Sequence, residues 1–173
     1  MLMLARNDDI AVAVGELRAY RHGFEFTLTT VLRLMESHAD NPWLLDWRTL
    51  PADVAEVPDE FFRVGLAYAD GVVITNLDRN FWAWDERPTR PYMQPGSGGG
   101  GSRRFDMTYW VWPLPPPGPL TFVCQWPARN IPESQAQIDA RLILNASSQA
   151  IDVWPGQPST IHQPYSVAQR HDG

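Results

Sequence analysis

The stretch from Arg103 to Pro127, RRFDMTYWVWPLPPPGPLTFVCQWP, sets the tightest limit on what this chain can become. In its first half Phe105, Met107, Tyr109 and Val111 alternate with Arg104, Asp106, Thr108, Trp110 and Trp112. In its second half Leu120, Phe122, Cys124 and Trp126 alternate with Thr121, Val123 and Gln125. Successive side chains on a strand point to opposite faces, so a period of two written in aromatic and β-branched residues predicts sheet. The stretch reads as two apolar strands joined into a hairpin by the proline-stiffened turn between them. Near that turn Trp110, Trp112 and Val123 make the second face apolar as well, so something is expected to cover it.

The same period recurs upstream. Ile10, Val12 and Val14 alternate with small residues, and the phase slips at Gly15-Glu16 as it does at a β-bulge. After a short turn at Tyr20 to Gly23, alternation runs from Phe24 to Leu34, with Glu25, Thr27, Thr29 and Arg33 on the other face. That pattern predicts a long hairpin with one face on a core and one in water. Phe62, Val64, Leu66 and Tyr68 then lead into Asp70-Gly71, a strong hairpin signal, and Val72 to Leu77 returns as the partner strand.

The intervening segments lack a period. Residues 36–60 are broken by Asn41-Pro42, Leu50-Pro51 and Val57-Pro58, yet Trp43, Leu44, Leu45 and Trp47 are too apolar for a free linker. They read as an ordered loop on the edge of a sandwich. Residues 78–102 end in PGSGGGGS (Pro95 to Ser102), which reads as a flexible loop within one domain. Downstream, Asn130 to Glu133 has capping-box spacing with Pro132 in the first turn, predicting a helix from about Pro132 to about Ala150. Gln137, Arg141, Asn145 and Ser148 would face solvent, and the broad apolar side would cover Trp110, Trp112 and Val123. The expected fold is all-β with one C-terminal helix: an antiparallel β-sandwich of about six to eight strands built from successive hairpins, one domain over residues 1–154. Residues 155–173 read as a flexible tail.

Charge and residue usage remove several functions. The net charge is −6, all of it in residues 1–90, where nine Arg meet 15 acidic residues, while residues 91–173 carry five of each. An acidic chain argues against non-specific nucleic-acid binding, which needs positive patches against phosphate. Lysine is absent, which excludes a Schiff base and a Walker-type phosphate loop. Cys124 is the one cysteine, so there is no intrachain disulfide, and its place on an apolar strand face reads as a buried, inert thiol. The opening MLMLARNDD is too short for a signal-peptide core and no stretch approaches membrane-spanning length, so a cytoplasmic protein that engages no membrane is expected.

No local motif names a reaction. His22, His38, His162 and His171 form no i, i+4 pair, so no metal and no cofactor is expected. There is no G-x-S-x-G, and the serines of the glycine run lack the strand-to-helix turn of a positioned nucleophile. Asp59-Glu60, Asp85-Glu86 and Asp106 supply carboxylates for glycoside-type hydrolysis, but neighbours on a strand point apart, and solvated surface charge is the plainer account. No catalytic residue is assigned.

Two clusters remain. Glycine N–H groups near Arg87, Arg90, Arg103 and Arg104 have the chemistry of an anion cradle, although paired arginines at a strand start are also ordinary surface. Trp82, Trp84, Trp110, Trp112 and Trp126 have the chemistry of a stacking platform for a sugar or peptide, against the plainer reading of core. Trp82 and Trp84, in a loop, are the candidate interaction pair.

The LARNDDIAVAV opening, the GFEFTL strand, the turn at Tyr68 to Gly71, the glycine run and YWVWPLPPPGPL resemble a family of small bacterial proteins with no assigned activity. The similarity spans most of residues 4–154, and YWVWPLPPPGPLTFVCQWPAR is its specific part. It implies a cytoplasmic bacterial product and a native glycine loop, and it assigns no functional residue. The function expected is a non-enzymatic module that binds another protein or its own copy. The alternatives are a small-ligand binder using the arginine and glycine loop, and a carboxylate-dependent hydrolase.

Overall fold

The computed structural model describes residues 1–34, 56–78 and 89–152. Within them lie nine strands and one helix: β1 (Leu2–Arg6), β2 (Ile10–Ala19), β3 (Phe24–Leu32), β4 (Arg63–Ala67), β5 (Val73–Thr75), β6 (Tyr92–Gly100), β7 (Arg104–Trp112), β8 (Pro119–Trp126), β9 (Ile131–Asp139) and α1 (Arg141–Ser148). They form an antiparallel β-sandwich, the expected class with more strands than expected. One sheet has five strands in the order β1-β2-β3-β7-β6, and the other four in the order β5-β4-β8-β9.

The alternating residues supply the glue between the sheets. Phe24, Phe26, Leu28, Met107, Tyr109 and Val111 from the larger sheet meet Val64, Leu66, Leu120, Phe122, Cys124 and Trp126 from the smaller one in a single buried cluster. Phe26 stacks on Tyr109 with ring centroids 5.3 Å apart and meets Phe122 edge-on at 5.3 Å, so one ring contacts its own sheet and the facing sheet. Such ring pairs add to the large apolar area each aromatic removes from water.

Two expected hairpins are present. β2 pairs with β3, and its register shifts between Val14 and Leu17, where the Gly15-Glu16 bulge is expected. β4 pairs with β5 across the Asp70-Gly71 turn. Asn76 extends that pairing past the end of β5: its carboxamide Oδ1 accepts from the Val64 N–H at 2.9 Å and its Nδ2 donates to the Phe62 carbonyl at 2.8 Å.

Three expectations are corrected. The stretch from Arg103 to Pro127 is not a hairpin: β7 pairs with β3 and β6, β8 pairs with β4 and β9, and the proline-rich segment is an arch that crosses from one sheet to the other. Tyr68 fastens this arch by donating from its hydroxyl to the Pro113 carbonyl at 2.8 Å.

The glycine run is not a flexible loop, because Gly98, Gly99 and Gly100 pair with Met107, Asp106 and Phe105 as the end of edge strand β6. A Cβ on Gly100 would run into the Arg104 carbonyl and the Phe105 Cα, so glycine there permits the close approach of β6 to its neighbour.

The third correction concerns the helix. Residues 131–139 are strand, and only Arg141–Ser148 is helical. Asn130 does not cap a helix; it takes a left-handed conformation (φ 53°) that closes a short 3-10 turn over Pro127–Arg129. Glu133, Gln135, Gln137 and Asp139 are exposed while Ser134, Ala136 and Ile138 are half-buried, a period of two that the polar composition hides. Pro132 is tolerated because β9 is an edge strand.

The helix therefore does not cover Trp110 and Trp112. It packs against β2, with Ala140 and Ile143 in the core. β1, for which no element is expected from the sequence, pairs with β2. Among the described residues no helix is long and apolar enough to cross a membrane.

Candidate interaction face

Among the described elements α1 packs against β2 rather than β7, and the outer face of the five-stranded sheet has half-buried side chains at its arch end and buried Ala13 and Thr29 further along. Strand register arranges them in rows, since residues directly opposite on paired strands share a face. At the arch end Tyr92 lies opposite Trp112. The next row is Gln94, Trp110, Glu25 and Arg18. Thr108 and Thr27 follow, then Gly99, Asp106, Thr29, Ala13 and Met3. The face is thus aromatic at the arch end, with Glu25 and Arg18 beside Trp110, then threonine, and carries Asp106 at the far end.

The aromatic end is built by close packing. Tyr20 meets Trp110 edge-on at 5.3 Å, and Tyr92 stacks on Trp112 at 6.0 Å. Gly23 makes room for Trp110: a Cβ there would sit 2.6 Å from the indole ring. The Tyr20 hydroxyl donates to Glu25 Oε2 at 2.7 Å, and partial burial, reinforced by that carboxylate, raises the Tyr20 phenol. Burial also raises the Tyr92 phenol, against a hydrogen bond from Trp110. Tyr20 remains 39% exposed, and Tyr92, Trp110 and Trp112 are half-buried.

The charged end is an ion-paired cluster. Arg104 Nε donates to both oxygens of Asp106, at 3.1 and 2.9 Å, and the Thr29 hydroxyl donates to Asp106 Oδ1 at 2.6 Å. Partial burial works to raise the Asp106 carboxyl, but the Arg104 and Thr29 hydrogen bonds and the Arg104 charge prevail and hold it below the ordinary carboxylate range.

The other sequence candidates fall as follows. Trp82, Trp84 and Arg87 lie outside the described residues. Arg90 stands just before β6, while Arg103 and Arg104 lie past its far end, about 25–30 Å along the strand at ~3.3 Å per residue. The described arginines therefore do not converge: Arg104 is held by Asp106 and Arg103 Nε donates to the Leu32 carbonyl at 3.2 Å.

Of the tryptophans singled out, Trp126 is core, its indole N–H donating to the Glu60 carbonyl at 2.8 Å, whereas Trp110 and Trp112 are on the outer face. Their phase, opposite to Tyr109 and Val111, is the signal for this in the sequence, and the expectation of a long helix over them hides it.

Cys124 is buried, and burial pushes its thiol up to about 12, far from the range of a nucleophilic thiolate. Asp59 is 3.6 Å from Arg63, a partly exposed pair. Among the described residues no group of three His, Cys, Asp or Glu side chains is placed to hold a metal ion. No protein-family profile, curated protein or solved structure matches the chain.

Proposed function

We propose that this chain is a cytoplasmic, non-enzymatic module that binds a protein partner through the aromatic end of its five-stranded outer face. The observation that carries the reading is the cluster of Tyr20, Tyr92, Trp110 and Trp112 on a sheet face outside the core. A face that meets only water is served by threonine and charge; half-exposed tryptophans next to hydrogen-bonding groups are the composition of binding surfaces. Tyr92, Trp110 and Trp112 sit on strands, and Tyr20, in the turn after β2, is held against Trp110, so a partner meets them preorganised.

Exchanging Trp110 and Trp112 for threonine keeps strand propensity and the character of the neighbouring rows while removing both rings. Affinity capture with the intact chain should retain a partner that this variant loses, with the two proteins giving the same far-UV circular dichroism. Identical capture by both would overturn the reading.

A second reading is favoured by Gln94 and Glu25 lying in one row with Trp110: a saccharide stacking on the rings and hydrogen-bonding to those groups. A thermal-shift panel of oligosaccharides tests it, because a ligand confined to the folded state raises Tm.

A further inference from the structure

Hydrogen bonding at the aromatic end of the outer face leaves acceptors waiting for a donor. The Tyr20 hydroxyl is already given to Glu25 Oε2 at 2.7 Å. The Trp110 side chain hydrogen-bonds to the Tyr92 hydroxyl, which takes up the indole N–H. What remains around Trp110 is the second Glu25 oxygen, the Gln94 carboxamide oxygen and the π face of the indole, which carries partial negative charge. Register sets Gln94 on one side of Trp110 and Glu25 on the other, so an acceptor stands on each strand beside the ring.

Among the described residues no cation is paired with Glu25. Arg18 lies opposite it in the register, yet its guanidinium is held by Glu16 at 2.7 Å, and Arg21 is held by Asp152 at 3.0 Å. Glu25 is half-buried, where solvent and salt screen its charge less than at an open site. The wider field has the same sign, because residues 1–90, which include β2 and β3, carry the whole net charge of −6. A field of that sign draws a cationic partner toward the face.

On the reading that this end is the interaction surface, we propose that its occupant is an arginine side chain of the partner, the guanidinium lying on Trp110 and donating to Glu25. A guanidinium is planar, always charged, and offers N–H donors with no acceptor. It can therefore stack on the indole while its edge hydrogen-bonds to the carboxylate, and both contacts strengthen as water is excluded. An ammonium is a compact, strongly hydrated point charge and has no plane to lay on the ring. An acidic or phosphorylated segment would meet Glu25 with like charge.

The probe is a short glycine peptide with one central arginine, titrated into the full chain to about 10 mM while the Trp110 indole N–H is followed by NMR. That signal, assigned by its loss in Trp110→Thr, should shift and saturate. The same peptide with citrulline, which keeps the shape and loses the charge, should bind roughly tenfold or more weakly, and the lysine version should also bind more weakly than arginine. Glu25→Gln keeps an acceptor for the Tyr20 hydroxyl and removes only the charge; it should weaken the arginine peptide by roughly tenfold and leave the citrulline peptide unchanged. No shift with the arginine peptide, equal binding of lysine or citrulline, or indifference to Glu25→Gln each overturns the proposal. Any of these, with partner capture still lost when Trp110 and Trp112 become threonine, would strike the guanidinium and keep the aromatic face as an interface. Capture unaffected by that exchange would strike both.

Discussion

Asp106 shows how a single residue on this fold can look catalytic and be structural. Its carboxylate lies on the outer face between Arg104 and the Thr29 hydroxyl, which links β3 to β7 by side chains as well as by backbone. Because its carboxyl is held below the ordinary range in the folded chain, the unfolded chain binds the extra proton as pH falls toward and below about 4. The stability it contributes is therefore present at neutral pH and lost as pH falls through its folded value. Asp106→Asn should lower the denaturation midpoint at pH 7, and the gap between variant and wild type should close below about pH 4. A gap that stays constant with pH would show that the charge contributes nothing. The type and strand position of Asp106 were legible in the chain, but its engagement was not, because Thr29 is 77 residues away.

Among the elements, legibility tracked how much side chain there was to read. The β2–β3 hairpin followed from unbroken alternation between Phe24 and Leu32, and the β4–β5 turn from Asp70-Gly71. The glycine half of β6 offered no side chains from which a period could be taken, so a paired strand looked like linker. β9 failed differently: its inward positions are Ser134, Ala136 and Ile138, too small and polar to outweigh the helix-favouring Glu, Gln and Ala around them. Sheet pairing overrode that local preference.

The β6 assignment is testable by size alone. Gly100→Ala drives a methyl into the Arg104 carbonyl and the Phe105 Cα and should destabilise the fold by about 1–3 kcal/mol. Gly99→Ala, in open space, should stay within about 0.5 kcal/mol in the same urea titration. Equal effects would return the segment to coil.

At the scale of the whole molecule, the fold depends on rings that touch both sheets. Phe26 is fully buried between Tyr109 and Phe122, and Phe26→Ala should cost about 3–5 kcal/mol by equilibrium denaturation, a large share of the roughly 5–15 kcal/mol that holds a domain folded. A loss below about 1 kcal/mol would mean that the sheets are held together elsewhere. The sandwich itself was legible because apolar alternation specifies a buried face. The assignment of β7 and β8 to opposite sheets was not, since the period within a strand is silent about which neighbour it joins. The candidate face suffered from the same silence: which side of Trp110 meets water depends on where the helix goes, and that is settled by contacts distant in sequence.

The arch between β7 and β8 has a consequence for how the chain is made. Each of these strands sits inside its sheet: β7 joins β3 to β6, both made before it, and β8 joins β4, made before it, to β9, made after it. A nascent polypeptide that has emerged only through β5 holds the β1-β2-β3 meander and the β4–β5 hairpin, without the two strands that sit inside the finished sheets. The cooperative structure arrives in one step, when the synthesis of two consecutive strands supplies both missing keystones. Until then the aromatic rings that later unite the layers are exposed to the crowded milieu around the ribosome.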